Sequence, residues 1–225
     1  MTFSIAARCA ETGMFGVGVC SSSPAVAARC SHARAGVGAA TSQNVTDPGL
    51  GSLILDNLAQ GLTARESVER AAESTEQREF RQLTAVDRTG GAFVFTGKHA
   101  LGISAGCTAR DVACAGNLLT GEEIPGVMVE AFRHSAGHLG DRLLASMRAA
   151  LDAGGEAGPV HSAGIMVVRD LSWPIVDLRV DWTDDECPVE RLADIWQLYA
   201  PQVEDYVIRA LNPGDAPGYG VPGDE

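Results

Sequence analysis

The chain has 225 residues, 45% of them apolar, with 29 acidic against 17 basic side chains and a formal charge of −12. That length carries one large domain with a substantial core, or two small ones, and the acidic balance excludes the basic footprint that nucleic acid or an anionic membrane requires. No apolar run is long enough to span a membrane, and Arg8 and Glu11 interrupt the continuous apolar stretch that a signal peptide needs; the expected location is the cytoplasm.

The first twenty-three residues read as a β-hairpin. Phe3, Ile5 and Ala7 alternate with Ser4, Ala6 and Arg8, Glu11-Thr12-Gly13 supplies a turn, and Phe15, Val17 and Val19 resume the apolar face. Residues 24–30 form a short helix or crossover, and 35–43 a buried strand with Arg34 at its entrance. Asp47-Pro48-Gly49 signals a turn, a helix follows over 52–60, and Thr63 to Glu66 match a capping box that opens the next helix. A second hairpin is expected over 80–86 and 92–96, then strands near 102–105 and 111–118.

Helices are expected over 124–134 and 139–153, broken at Gly137. His134 and His138 therefore do not share the continuous helix that an i, i+4 metal pair needs. Strands over 161–168 and 175–181 precede a helix or broken pair over 188–211, which Pro201 interrupts. Clustered strands then clustered helices favour an α+β fold of two stacked sheets covered by helices over a βαβ repeat. The expected organisation is one domain over 1–211 and a Gly/Pro-rich tail over 212–225, either disordered or clamped across a neighbouring surface. Asp184-Asp185-Glu186 and Asp224-Glu225 read as solvated acidic faces.

Six cysteines lack the close pairs of a zinc ribbon or redox motif and are expected to be small buried side chains. Cys9 and Cys20 lie on facing strands of the expected hairpin, where a bridge is conceivable but a reducing cytosol favours free thiols. No glycine-rich loop ends in the lysine of a phosphate cradle. The expectation is no cofactor and no metal.

The chemistry lies at the start. Removal of Met1 would leave Thr2 with a hydroxyl and a free α-amine whose reference pKa is about 7.7–8.0, a nucleophile with its base attached. The hairpin pairs Thr2 with Ser21, Ser22 or Ser23, whose hydroxyls can orient the amine and relay a proton. The other reading of the serines is a strand end whose backbone groups need caps.

MTFSIAAR, ARAGVGAATSQ, FRQLTAVD followed by FTG, AGNLL and APGYGVPGDE occur in that order. With these motifs the chain resembles, nearly end to end, a large bacterial family of unassigned function placed among the Ntn hydrolases. The resemblance implies a four-layer αββα sandwich, two stacked antiparallel sheets flanked by helices, and Thr2 as nucleophile against an amide bond. It also implies a basic group at the third strand, where Arg34 stands, to lower the pKa of the amine and steady developing charge.

Gln43 and Asn117, polar groups in apolar segments, read equally as oxyanion or substrate contacts and as groups satisfying a buried sheet. Two departures stand out. The family's second strand usually ends in Ser-Arg where this chain has Ser21-Ser22, and a late Arg-Gly-Lys-Gln-Ser-Ala type motif is replaced by Gly158-Pro159-Val160-His161-Ser162-Ala163. His161 is either a substitute donor or titrating group, or a histidine held by structure. The site expected from sequence is thus Thr2, Ser21 and Arg34 for chemistry, with Ser22, Ser23, Gln43, Asn117 and His161 for substrate.

The expected function is hydrolysis of a small amide or cyclic amide of imide, lactam or hydantoin type. The alternative is a non-catalytic ligand-binding or assembly protein with the same fold. Expected partners are a small-molecule substrate and a second copy in a homodimer, with no nucleic acid and no membrane.

Overall fold

A computed structural model describes residues 1–221. The fold is α+β, with two antiparallel sheets facing each other. One has six strands in the order β10-β9-β2-β1-β8-β7 and the other four in the order β3-β4-β5-β6. The strands of the large sheet are β1 (Thr2–Arg8), β2 (Phe15–Ser21), β7 (Ile103–Ala109), β8 (Val112–Leu119), β9 (Ser162–Val168) and β10 (Val176–Val180). Those of the small sheet are β3 (Ser31–Arg34), β4 (Gly38–Asn44), β5 (Arg81–Asp87) and β6 (Ala92–Thr96). Between β2 and β3 runs the five-residue helix α1 (Val26–Cys30).

Helices α2 (Pro48–Ala59) and α3 (Ala64–Glu73) cover the outer face of the small sheet. The outer face of the large sheet carries α4 (Ile124–His134), α5 (Leu139–Asp152) and α6 (Pro188–Tyr199), and α7 (Val203–Leu211) follows after a turn at Ala200–Gln202. The order of layers is therefore αββα.

Alternation in β1 sorts its side chains between two cores. Phe3, Ile5 and Ala7 pack under α4 and α5, while Ala6 lies between the sheets with Phe15, Val17, Ala39 and Val86. Gly16 and Gly18 let α5 settle on β2, since a Cβ at Gly16 would stand 2.9 Å from Leu143 Cδ1 and one at Gly18 would stand 2.8 Å from Met147 Sδ.

The space between the sheets turns polar toward the amino end of β1. Ser4 Oγ donates to Gln43 Oε1 at 2.6 Å, Thr41 and Thr84 hydroxyls meet at 2.7 Å, and Gln43 Nε2 donates to Gln82 Oε1 at 2.8 Å. All five side chains are fully buried. Such groups hold together only while paired, because an orphaned one costs about 1–3 kcal/mol.

Several expectations are corrected. Asp47 is the N-cap of α2, its Oδ1 accepting the Gly49 N–H at 3.0 Å, so the helix starts four residues before the expected position, with Pro48 in its first turn. Residues 35–37 are a turn between β3 and β4, not the start of a strand, because Gly36 takes a positive φ of 69°. Cys9 and Cys20 lie at opposite ends of the hairpin, since Phe3 pairs with Cys20 and Arg8 with Phe15; both thiols are free.

The capping box at Thr63, both hairpins and the break at Gly137 are as expected. His138 caps α5, its Nδ1 accepting the Gly140 N–H at 3.0 Å. In the tail, Arg209 donates to the Pro217 and Gly218 carbonyls and lies 4.0 Å from the Tyr219 ring. Asp224 and Glu225 lie outside the described residues. Among the described residues, no helix is long and apolar enough to cross a membrane.

Candidate active site

Thr2 opens the inner strand of the large sheet. It pairs with Asn117 on β8, and the register of β1 with β2 sets it opposite Ser21, which in turn pairs with Ser162 on β9. Residues in one row of a sheet present their side chains on one face. Thr2 shares the parity of Ser4 and Ala6, which face the small sheet.

Of the three serines the hairpin offers, Ser21 meets the threonine. Thr2 Oγ1 and Ser21 Oγ are 3.3 Å apart, and both hydroxyls donate to the Met1 carbonyl oxygen, Thr2 at 2.5 Å. Ser21 Oγ also accepts the Ser23 N–H at 3.1 Å and lies 3.2 Å from Ser23 Oγ. Ser162 fixes the following turn by donating to the Ser23 carbonyl at 2.6 Å and accepting the Val26 N–H at 3.2 Å. Thr2 is 6% exposed and Ser21 fully buried, so the hydroxyl pair is shielded yet sits at the strand mouth.

A residue outside the sequence-based set completes the group. Beyond α5 the chain runs beside the end of β8: Thr120 N–H donates to Gly155 O at 3.0 Å and Ala157 N–H to Leu118 O at 2.9 Å, which brings Glu156 opposite Leu119. Glu156 is 5% exposed; its Oε2 accepts the Ser22 N–H at 3.2 Å, and its Oε1 is buried with no hydrogen-bond partner among the described residues. Burial pushes its carboxyl up to about 7, against the opposing pull of the Met1 ammonium and of the Ser22 hydrogen bonds. The only sequence signal was a lone acid bracketed by Gly154-Gly155 and Gly158, a stretch that reads as a helix stop.

Met1 is half-buried in this setting, and a Cβ on Gly158 would come within 3.1 Å of its Cε. Asn117 and Gln43 lie beneath the hydroxyls, in the polar layer between the sheets. Asn117 Nδ2 and Gln43 Nε2 both donate to Gln82 Oε1, at 3.2 and 2.8 Å. Gln82 Nε2 donates in turn to the Gly116 carbonyl at 2.9 Å, so these amides tie one sheet to the other.

His161 borders the site through its backbone. Its N–H donates to the Ser21 carbonyl at 2.9 Å, while the ring stacks on Trp182 at 4.3 Å and sets Nδ1 2.8 Å from the Thr183 carbonyl. Arg34 is not part of the group. It ends β3 opposite Gly38, at the Ala39 end of β4 that packs against Phe15, and it pairs with Asp56 at 2.9 Å. Thr2 belongs to the other end of the sheets, where Ser4 meets Gln43. A cavity of about 400 Å³ near the hairpin turn, lined by Arg8, Cys9, Arg110 and Arg142, is also remote from Thr2.

The crystal structure of a Silicibacter pomeroyi protein described as DUF1028 superposes with a TM-score of 0.82 at 30% identity, covering 88% of this chain and 89% of that one. Two more distant structures are an Anbu (ancestral beta-subunit) from Yersinia bercovieri and an Anbu (Gly-1) mutant from Hyphomicrobium sp. strain MC1. Their identities are 12% and 13% and their TM-scores 0.41 and 0.43, each over 91% of this chain and 96% of the other. A likeness of that degree carries no argument about this site. No curated protein matches the chain. The model of the family of unknown function DUF1028 matches residues 2–192, and the chain belongs to that family.

Proposed function

We propose that the protein is an amidohydrolase of the Ntn type in which Thr2, freed by removal of Met1, is the nucleophile. The observation that carries this reading is the contact of the Thr2 and Ser21 hydroxyls with one carbonyl oxygen, in a shielded row at the mouth of the inner strand. A carbonyl held there meets an alcohol oxygen for attack and a second hydroxyl as donor.

The α-amine of Thr2 takes the hydroxyl proton as Oγ1 attacks the amide carbon. Ser21 Oγ donates to the oxygen on which charge develops, where it now donates to the Met1 carbonyl. The ammonium returns the proton to the leaving nitrogen as the C–N bond breaks. Water then attacks the ester on Oγ1, releasing the acid and restoring the hydroxyl. Ser22 and Ser23 line the approach. Gln43 and Asn117 act by stiffening the floor, and Arg34 has no part in this scheme.

A small amide or a cyclic amide of imide, lactam or hydantoin type is the substrate class this reading favours. Thr2→Ala in protein lacking Met1 should abolish hydrolysis across a panel of such compounds; retained turnover would reject the scheme.

A second reading, a binding or assembly protein without catalysis, is favoured by the same hydroxyls being engaged by Met1. Intact-mass spectrometry of protein from its native host separates the two. Full retention of Met1 supports the second and removes the first.

A further inference from the structure

We propose that the cavity at the hairpin turn binds a small molecule carrying two negative charges on oxygen, a phosphate monoester or a dicarboxylate, through Arg142 and Arg110. Thr2 lies at the other end of the sheets and plays no part in it. Four of the chain's 17 basic side chains, Arg8, Arg110, Arg133 and Arg142, line this one space of about 400 Å³ in a protein of net charge −12. Only two carboxylates, Glu11 and Asp111, line it with them.

The turns bring the arginines together. Arg8 ends β1 and meets the β7–β8 turn, where its N–H donates to the Asp111 carbonyl at 2.9 Å and Arg110 precedes that residue. Arg133 comes from the end of α4 and Arg142 from the start of α5.

The pairing decides which charges remain for a ligand. Asp111 Oδ1 accepts from Arg8 Nη1 at 2.8 Å with both side chains largely buried, and Glu130 takes Arg133 at 2.8 Å. Arg110 reaches Asp111 only at 3.9 Å; its Nη2 donates to the Thr89 carbonyl at 3.1 Å, which steadies an otherwise exposed side chain. Arg142 pairs with no carboxylate among the described residues. Its guanidinium lies 4.0 Å from the centre of the Phe132 ring, Nη2 donates to the Phe132 carbonyl at 3.2 Å, and Nε is buried without a partner. Ser135 Oγ donates to the same carbonyl at 2.8 Å, so that oxygen at the end of α4 is already satisfied.

A half-buried guanidinium, fixed by stacking and lacking a counter-charge, favours an anion that supplies one. One carboxylate shared by two arginines leaves a second positive charge at Arg110, and two such charges select a dianion over a monoanion. Glu11 is exposed at the rim, where water weakens its repulsion.

The full-length chain is titrated with inorganic phosphate, succinate and acetate, at low ionic strength and about pH 8, where phosphate is mostly doubly charged. Calorimetry gives the affinity and amide chemical shifts give the place. Phosphate or succinate should bind at least about tenfold more tightly than acetate, with shifts gathered at residues 8–11, 110–111 and 133–142. The tighter of the two identifies a phosphoryl or a dicarboxylate ligand.

Arg142→Met, which keeps an apolar stem on the Phe132 ring, should weaken the dianion about tenfold. Arg110→Ala changes an exposed side chain, so it keeps the question open to test if the other variant does not fold, and it should weaken the dianion about threefold or more. Arg34→Ala removes the same charge from another surface and should leave binding unchanged. Equal binding of acetate and the dianions, shifts centred elsewhere, or no binding of either dianion at about 10 mM would overturn the proposal. So would dianion affinity that survives Arg110→Ala, or an equal loss in Arg34→Ala.

Discussion

Glu156 and Ser22 are joined by a hydrogen bond, Ser22 N–H to Oε2 at 3.2 Å, and that bond links the segment after α5 to the end of β2. The carboxyl so held is raised from 4.5 to about 7 by burial. A folded-state value above the unfolded one means that the native protein binds the proton more tightly. Stability is then fullest below about pH 4.5, falls as the pH rises toward 7, and is level above it. The loss across that window is about 3 kcal/mol. Glu156→Gln should lack this slope, gaining on the parent protein between pH 4.5 and 7 in urea titrations. Parallel pH profiles for the two proteins would contradict the assignment.

Ser21→Ala removes the second hydroxyl on the carbonyl oxygen while leaving Thr2 in place. Acylation of processed protein by a small β-lactone, read as a mass increment on Thr2, should slow by about a hundredfold. Ser23 loses an acceptor for its N–H, so stability should fall by about 1 kcal/mol. Unchanged labelling would remove Ser21 from the chemistry.

Gln82 is the hub between the sheets, accepting from Gln43 and Asn117 and donating to Thr96 and Gly116. Gln82→Leu strands two buried amide donors and a carbonyl, for a cost of about 2–5 kcal/mol. Chemical denaturation should show that loss together with weaker packing of the two sheets. A loss below about 1 kcal/mol would mean that water replaces the amide.

Arg34→Ala tests the placement of the arginine. Its partner Asp56 and the guanidinium are both about half exposed, so the pair is worth less than about 1 kcal/mol. Labelling of Thr2 should be unaffected. A strong fall in labelling would restore the arginine to the active group.

The hairpin that delivers Ser21 to Thr2 was legible because strand alternation and one turn fix a register by counting. Local chemistry also announced the capping box at Thr63 and the helix break at Gly137. What counting did not reach was assembly between distant segments. Arg34 was assigned by its position along the chain, but a three-residue turn reverses the backbone just after it and carries it to the far end of the sheets. Gln43 and Asn117 looked like candidates for substrate contact because polar residues in apolar strands invite that reading. Only the facing strand, with Gln82, shows that they answer each other. Glu156 was silent because nothing in a glycine-rich loop reveals that it lies along the last residues of β8.

The amino-terminal strand is interior: β1 runs between β2 and β8, and Glu156 comes up beside its first residues. During synthesis, β1 can pair with β2 early, but residues 112–119 and then 154–158 emerge much later. At about 5–20 residues per second, roughly 8–30 s separate the first residues from those that enclose them. Throughout that interval the terminus is not yet enclosed by those segments, and once the loop closes Met1 is half-buried. Under the proposed mechanism, removal of Met1 therefore has a deadline set by translation, and an amino-terminal fusion tag would have to thread the place the loop later occupies. A tag at the other terminus avoids that collision.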